Sequence, residues 1–129
     1  MNPLKKTITT KNAPNPAGPY SQAVVADKFV FVAGQTPRDP QTGAVSDNIK
    51  EQTRQTIKNV EAILIESGSS LENIVRVDVF LSDLEYFNEM NEVYKEMIQG
   101  PFPARTTVGT MLRGIMVEIE VIALLDDAR

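Results

Sequence analysis

Residues 115–125 read IMVEIEVIALL, and the two sides of that stretch decide how the chain can fold. Successive side chains of a strand point to opposite faces. One face would carry Ile115, Val117, Ile119, Val121 and Ala123, wholly apolar and suited to a helix-covered core. The other would carry Met116, Glu118, Glu120, Ile122 and Leu124. Two acids among three large apolar side chains do not make a solvated face. The pattern therefore predicts that this side packs against further copies of the chain and traps the carboxylates there.

Just upstream, GPFPARTTVG (100–109) places a proline-broken turn before a β-branched run, a strand over about Ala104–Gly109. The intervening TMLRGI reads as a hairpin turning through Gly114. Arg105 sits at the mouth of that strand, where a guanidinium calls for a partner: a structural ion pair or an anionic ligand. SDLEYFNEMNEVYKEMI (82–98) opens on a Ser82/Glu85 capping box and lines up Leu84, Phe87, Met90, Val93, Tyr94 and Met97 at helical spacing. Before it, NIVRVDVFLSD alternates Val75, Val77, Val79 and Leu81 against Arg76, Asp78 and Phe80, the period of a strand.

Ile49, Ile57, Val60, Ile63 and Leu64 recur at helical spacing between an Asn48/Glu51 cap and Gly68, predicting a helix over about Asn48–Ser67. QAVVADKFVFVAGQ (22–35) reads as two strands about an Asp27-Lys28 turn. NAPNPAGPYS (12–21) is a loop, since its prolines deny donors to a ladder, and TPRDPQTGAVSD (36–47) is turn chemistry throughout. A short strand is expected at Thr7–Thr9. The order ββ(β)αβαββ makes an α+β fold, a mixed β-sheet with two helices packed on one face.

The 129 residues suit one domain spanning 1–129. With 42% hydrophobic and 23% charged residues, the composition is that of an ordered globular chain. The absence of cysteine and histidine removes disulfides, thiol nucleophiles, histidine triads, the usual zinc sites and imidazole chemistry. Chemistry is left to carboxylates, Arg, Lys, Tyr, Ser, Thr, Asn, backbone groups and water. A net charge of −4 gives no reason to bind nucleic acid. No apolar run approaches the roughly 20 residues needed to span a bilayer. The opening residues lack a signal-peptide core, so the expectation is a cytoplasmic protein without membrane contact.

Glu118 and Glu120 share one strand face about 6.5–7 Å apart by strand rise. Structural ion pairing accounts for such a pair as simply as catalysis does. Arg105 near the preceding strand strengthens the sharper reading, because a guanidinium grips a carboxylate bidentately and leaves a neighbouring glutamate free for water.

GPYSQAV, FVAGQTPRDPQTG, NVEAIL, VRVDVFLSDLEYFNEMNEVY, FPARTTV and VEIEVIA occur in this order over nearly the whole chain. Together they resemble the reactive intermediate deaminase family, the RidA-like (YjgF) proteins. The resemblance implies a chorismate-mutase-like fold and a homotrimer with active sites in the clefts between subunits. It also implies hydrolysis of small-molecule enamine and imine acids to 2-oxoacids and ammonia, with no metal or cofactor; 2-aminoacrylate, 2-iminobutanoate and 2-iminopropanoate are of this type. By the same resemblance Arg105 holds the substrate carboxylate, Glu118 directs water and Glu120 is structural. Tyr20, Gly34, Asn91 and Thr107 belong to the substrate cleft, Gly34 by permitting close backbone approach.

Three departures bear on activity. Ala33 stands where many family members have serine, Thr106-Thr107 where they have Ser-Cys, and the segment before VEIE is about two residues shorter and lacks their Leu-Pro turn. A different class of function is a non-catalytic small-carboxylate or 2-oxoacid binding protein with a regulatory role. The RNA cleavage attached by name to some relatives is disfavoured by the acidic charge and the missing histidine.

Overall fold

Asp27 adopts φ 55°, a left-handed conformation its short polar side chain tolerates, and this turns β2 (Ala23–Ala26) back onto β3 (Phe29–Gln35). The computed structural model describes residues 2–126. Together with β1 (Lys5–Ile8), β4 (Ile74–Leu81), β5 (Ala104–Gly109) and β6 (Val117–Leu124), these strands form a six-stranded sheet in the order β1-β2-β3-β6-β4-β5. The sheet is mixed: β4 and β5 run parallel and the other neighbours antiparallel.

Helix α1 (Ile49–Ser67) starts where the Asn48 side chain accepts a hydrogen bond from the Glu51 N–H at 3.1 Å. It stops at Gly68, φ 86°, with the Gly68 N–H donating to Ile65 and the Ser69 N–H to Leu64, the paired bonds of a left-handed C-terminal cap. Helix α2 (Phe87–Met97) packs beside α1. Its entry corrects the expected capping box. Asp83, not Ser82, accepts from the Glu85 N–H at 2.9 Å and starts a 3-10 turn over Leu84–Tyr86 that leaves Leu84 exposed.

Both helices lie on one face of the sheet. Val30, Val32, Val77, Val79, Leu81, Val117, Ile119, Val121 and Ala123 point into that core and are buried, as are Ile57, Val60, Ile63 and Leu64 of α1. Alternation fails at the start of β4, where a register shift between Ile74 and Arg76 buries Ile74 and leaves Val75 exposed.

The expected β5–β6 hairpin is not formed. β5 lies at the sheet edge along β4, while β6 inserts between β3 and β4. Residues 110–116 instead straddle the end of β4: the Thr110 N–H donates to the Leu81 carbonyl at 2.8 Å and the Ser82 N–H to the Met116 carbonyl at 2.9 Å. β6 begins only at Val117, so its alternation does not reach back to 115 and 116. Met116 packs against the core, its N–H bound by Gln52 of α1 at 2.8 Å, and Ile115 is half-buried beside a cleft.

The opposite sheet face remains open. Phe29 and Phe31 lie on it, rings 6.4 Å apart, opposite Leu124 and Ile122. Phe31, Phe29 and Leu124 are exposed at 44%, 37% and 37%, a concentration of apolar surface that calls for a covering partner.

Candidate functional site

Arg105 pairs in register with Val77, whose side chain is buried under the helices, so the guanidinium also points to the helix side of the sheet. There it stands 4.6 Å from the centre of the Tyr94 ring and 5.6 Å from that of Phe87, and donates to Asn91 Oδ1 at 2.7 Å. It joins no salt bridge among the described residues. Aromatic faces and a neutral amide therefore orient the cation without neutralising it. Asn91, Tyr94, Lys95, Phe102, Pro103 and Arg105 line an open cleft of about 410 Å³. Burial raises the Tyr94 phenol above its ordinary pKa, opposed by the charge of Arg105. Thr107, two residues on and on the same face, has a buried hydroxyl with no hydrogen-bond partner among the described residues, as does Tyr94.

Glu118 points the other way. It lies opposite Phe80 in the ladder and between buried Val117 and Ile119, which places it on the open face. Its seat is made by β3: Val32 pairs with Val121 and Gln35 with Ile119, so one extra residue of β3 is accommodated around Ala33-Gly34. A Cβ at Gly34 would meet Glu118 Cδ at 3.0 Å, so the carboxyl lies directly against this glycine and a side chain here would have to displace it. Burial, and secondarily the charge of Glu120, raise the Glu118 pKa above the ordinary 4.5. Tyr20, with its hydroxyl accepting from the Ala17 N–H at 3.0 Å, lines the same cleft of about 380 Å³ together with Gly34, Arg38 and Arg113.

The residues singled out in the sequence thus fall into two groups. Arg105, Asn91 and Thr107 face the helices; Tyr20, Gly34 and Glu118 belong to the open face. One chain does not bring the two groups together, because a β-sheet lies between them.

Three buried amides that periodicity passes over hold the Glu118 cleft in shape. Gln22 accepts from the Thr10 N–H at 2.7 Å and donates to the carbonyls of Thr10, Ala13 and Pro14, fixing the proline-rich loop. Asn59 donates to the carbonyls of Thr36 and Arg38, each at 2.9 Å. Gln52 binds both Ser46 and Met116. Gln52 and Asn59 were findable as polar side chains seven apart on the apolar stripe of α1, where burial demands partners.

The Endoribonuclease L-PSP family model matches residues 10–125. The chain belongs to the reactive intermediate deaminase (RidA/YjgF) family. A RutC family protein of Pyrococcus horikoshii is 47% identical over 93% of this chain and 98% of its own. The human 2-iminobutanoate/2-iminopropanoate deaminase is 38% identical over 94% of this chain and 90% of its own. Escherichia coli TdcF, solved with bound serine, superposes with a TM-score of 0.88 at 38% identity, covering 92% of this chain and 98% of that one.

For this RidA-family site the charge on Glu118 makes a testable statement. A glutamate that acts as base must be ionised, so the acidic limb of the kcat/KM profile is expected above pH 4.5. Glu120→Gln removes the neighbouring charge and should move that limb to lower pH, leaving the part of the shift due to burial. A limb that stays in place would show that Glu118 is not the titrating group.

Proposed function

We propose that the protein is a cytoplasmic 2-iminobutanoate/2-iminopropanoate deaminase, working as a homotrimer whose clefts join the Arg105 face of one subunit to the Glu118 face of another. The observation that carries this reading is the state of Arg105: oriented by Tyr94 and Asn91, open to a cleft, and without a carboxylate partner among the described residues. Such a group fits the carboxylate of a small imino acid. The apolar patch of Phe29, Phe31 and Leu124 supplies the surface on which a second copy would seat.

Arg105 fixes the substrate carboxylate and Glu118 takes a proton from water as its oxygen bonds to the imine carbon. Glu118 returns that proton to the nitrogen, the carbinolamine hydroxyl gives up its proton to the departing nitrogen as the C–N bond breaks and the C=O bond forms, and ammonia leaves a 2-oxoacid. An enamine enters the same course after a proton is added to its terminal carbon. One water is consumed for each ammonia released and no oxidation state changes, so no redox partner enters the balance. To test this, 2-aminoacrylate and 2-iminobutanoate are generated in situ by a dehydratase and their loss is followed. Faster loss with ammonia release is expected; binding without acceleration would leave a carboxylate-binding protein.

A further inference from the structure

The chain as a whole is acidic, with 17 acids against 13 bases, yet the Arg105 cleft and the Glu118 cleft are not. Lys95 and Arg105 line the first without an acid, and Arg38 and Arg113 line the second with Glu118 alone. None of these four cations joins a salt bridge among the described residues. Nor does Glu118 form a salt bridge with either arginine of its cleft among the described residues.

The two guanidiniums of the Glu118 cleft sit on anchored backbone. Arg38 has its carbonyl held by Asn59 at 2.9 Å and spends one donor on the Gly43 carbonyl at 2.8 Å, leaving the rest of its fork unspent. Arg113 lies in the segment tied to β4 at both ends, just before Gly114 with φ 69°, and its guanidinium makes no hydrogen bond among the described residues. Both are exposed in the single chain. When a second subunit closes over this cleft they lose water, and a desolvated cation needs an anion.

We infer that the anion is part of the substrate: Arg113, backed by Arg38, receives a second carboxylate, so the preferred substrates are imines of dicarboxylic amino acids. This inference rests on the deaminase reading above and names its substrate class. Arg105 suffices for the carboxylate common to every imino acid, and a further planar fork matches a further planar carboxylate. A cleft of about 380 Å³ accommodates such a small molecule, whereas a nucleic-acid strand calls for a continuous basic track.

The experiment compares two four-carbon imines, 2-iminosuccinate and 2-iminobutanoate, each made in situ by an amino-acid oxidase or dehydratase and followed with the intact protein and with Arg113→Gln. kcat/KM for 2-iminosuccinate is expected at least about tenfold above that for 2-iminobutanoate. Arg113→Gln should lower the diacid value at least about ten times more than the monoacid value. Equal rates for the two imines, a preference that survives Arg113→Gln, or an equal loss on both would overturn the inference while the deaminase reading stands. No acceleration of either imine would overturn both.

Discussion

Glu118→Gln is expected to lower kcat/KM for imine hydrolysis by about a hundredfold to ten-thousandfold, the usual contribution of a positioned general base, while the protein stays folded. Glutamine keeps the shape of the side chain against Gly34 and removes only the ability to take a proton. The stability change separates this role from a structural one. Because folding raises the Glu118 pKa, its favourable contribution is present at low pH, where the group is protonated, and is lost as pH rises through the raised value. At neutral pH the ionised carboxylate is a burden on the fold, so the melting temperature of Glu118→Gln should hold or rise. Lost activity with a lowered melting temperature would mean that the carboxylate serves the structure instead.

Arg105→Lys should lose at least about tenfold in kcat/KM, roughly 1.4 kcal/mol of transition-state stabilisation. Lysine retains the charge and forfeits the planar fork, which both stacks on Tyr94 and grips two carboxylate oxygens. The loss should follow the fork, since positive charge remains beside Asn91. Unchanged turnover with a lowered melting temperature would return Arg105 to a packing role.

Helix α1 was legible almost to the residue because its signals are local: Asn48 offers an oxygen to the next turn and Gly68 alone accepts the reversed φ cheaply. The buried faces of β4 from Val77 onward and of β6 from Val117 onward were legible for the same reason, being written at period two. What escaped depends on distant partners. Nothing within residues 104–124 reveals that β5 pairs with β4, because a short connection such as 110–116 looks alike whether it closes a hairpin or steps across a neighbour. Ser82 and Asp83 both suit a cap, and only the 3-10 entry chooses Asp83.

The site divides in the same manner. Arg105, Glu118, Tyr20, Gly34, Asn91 and Thr107 stand in quotable motifs, but their separation by a sheet is a matter of register. It required the pairing of Arg105 with Val77 and of Glu118 with Phe80. Gln22, Gln52 and Asn59 carry no motif; their importance lies in backbone carbonyls and an N–H that the folded chain brings to them from 6 to 64 residues away.

That separation makes the shared cleft the central claim, and subunit mixing tests it most directly. Arg105→Met and Glu118→Gln proteins, each inactive alone, are unfolded, combined in equal amounts and refolded together beside wild-type protein treated alike. If each site draws Arg105 from one subunit and Glu118 from another, random assembly into closed rings should restore about one quarter of the wild-type activity. A mixture that forms hybrid assemblies yet stays as inactive as its components would contradict the account, since both groups would then have to serve the reaction from within a single chain.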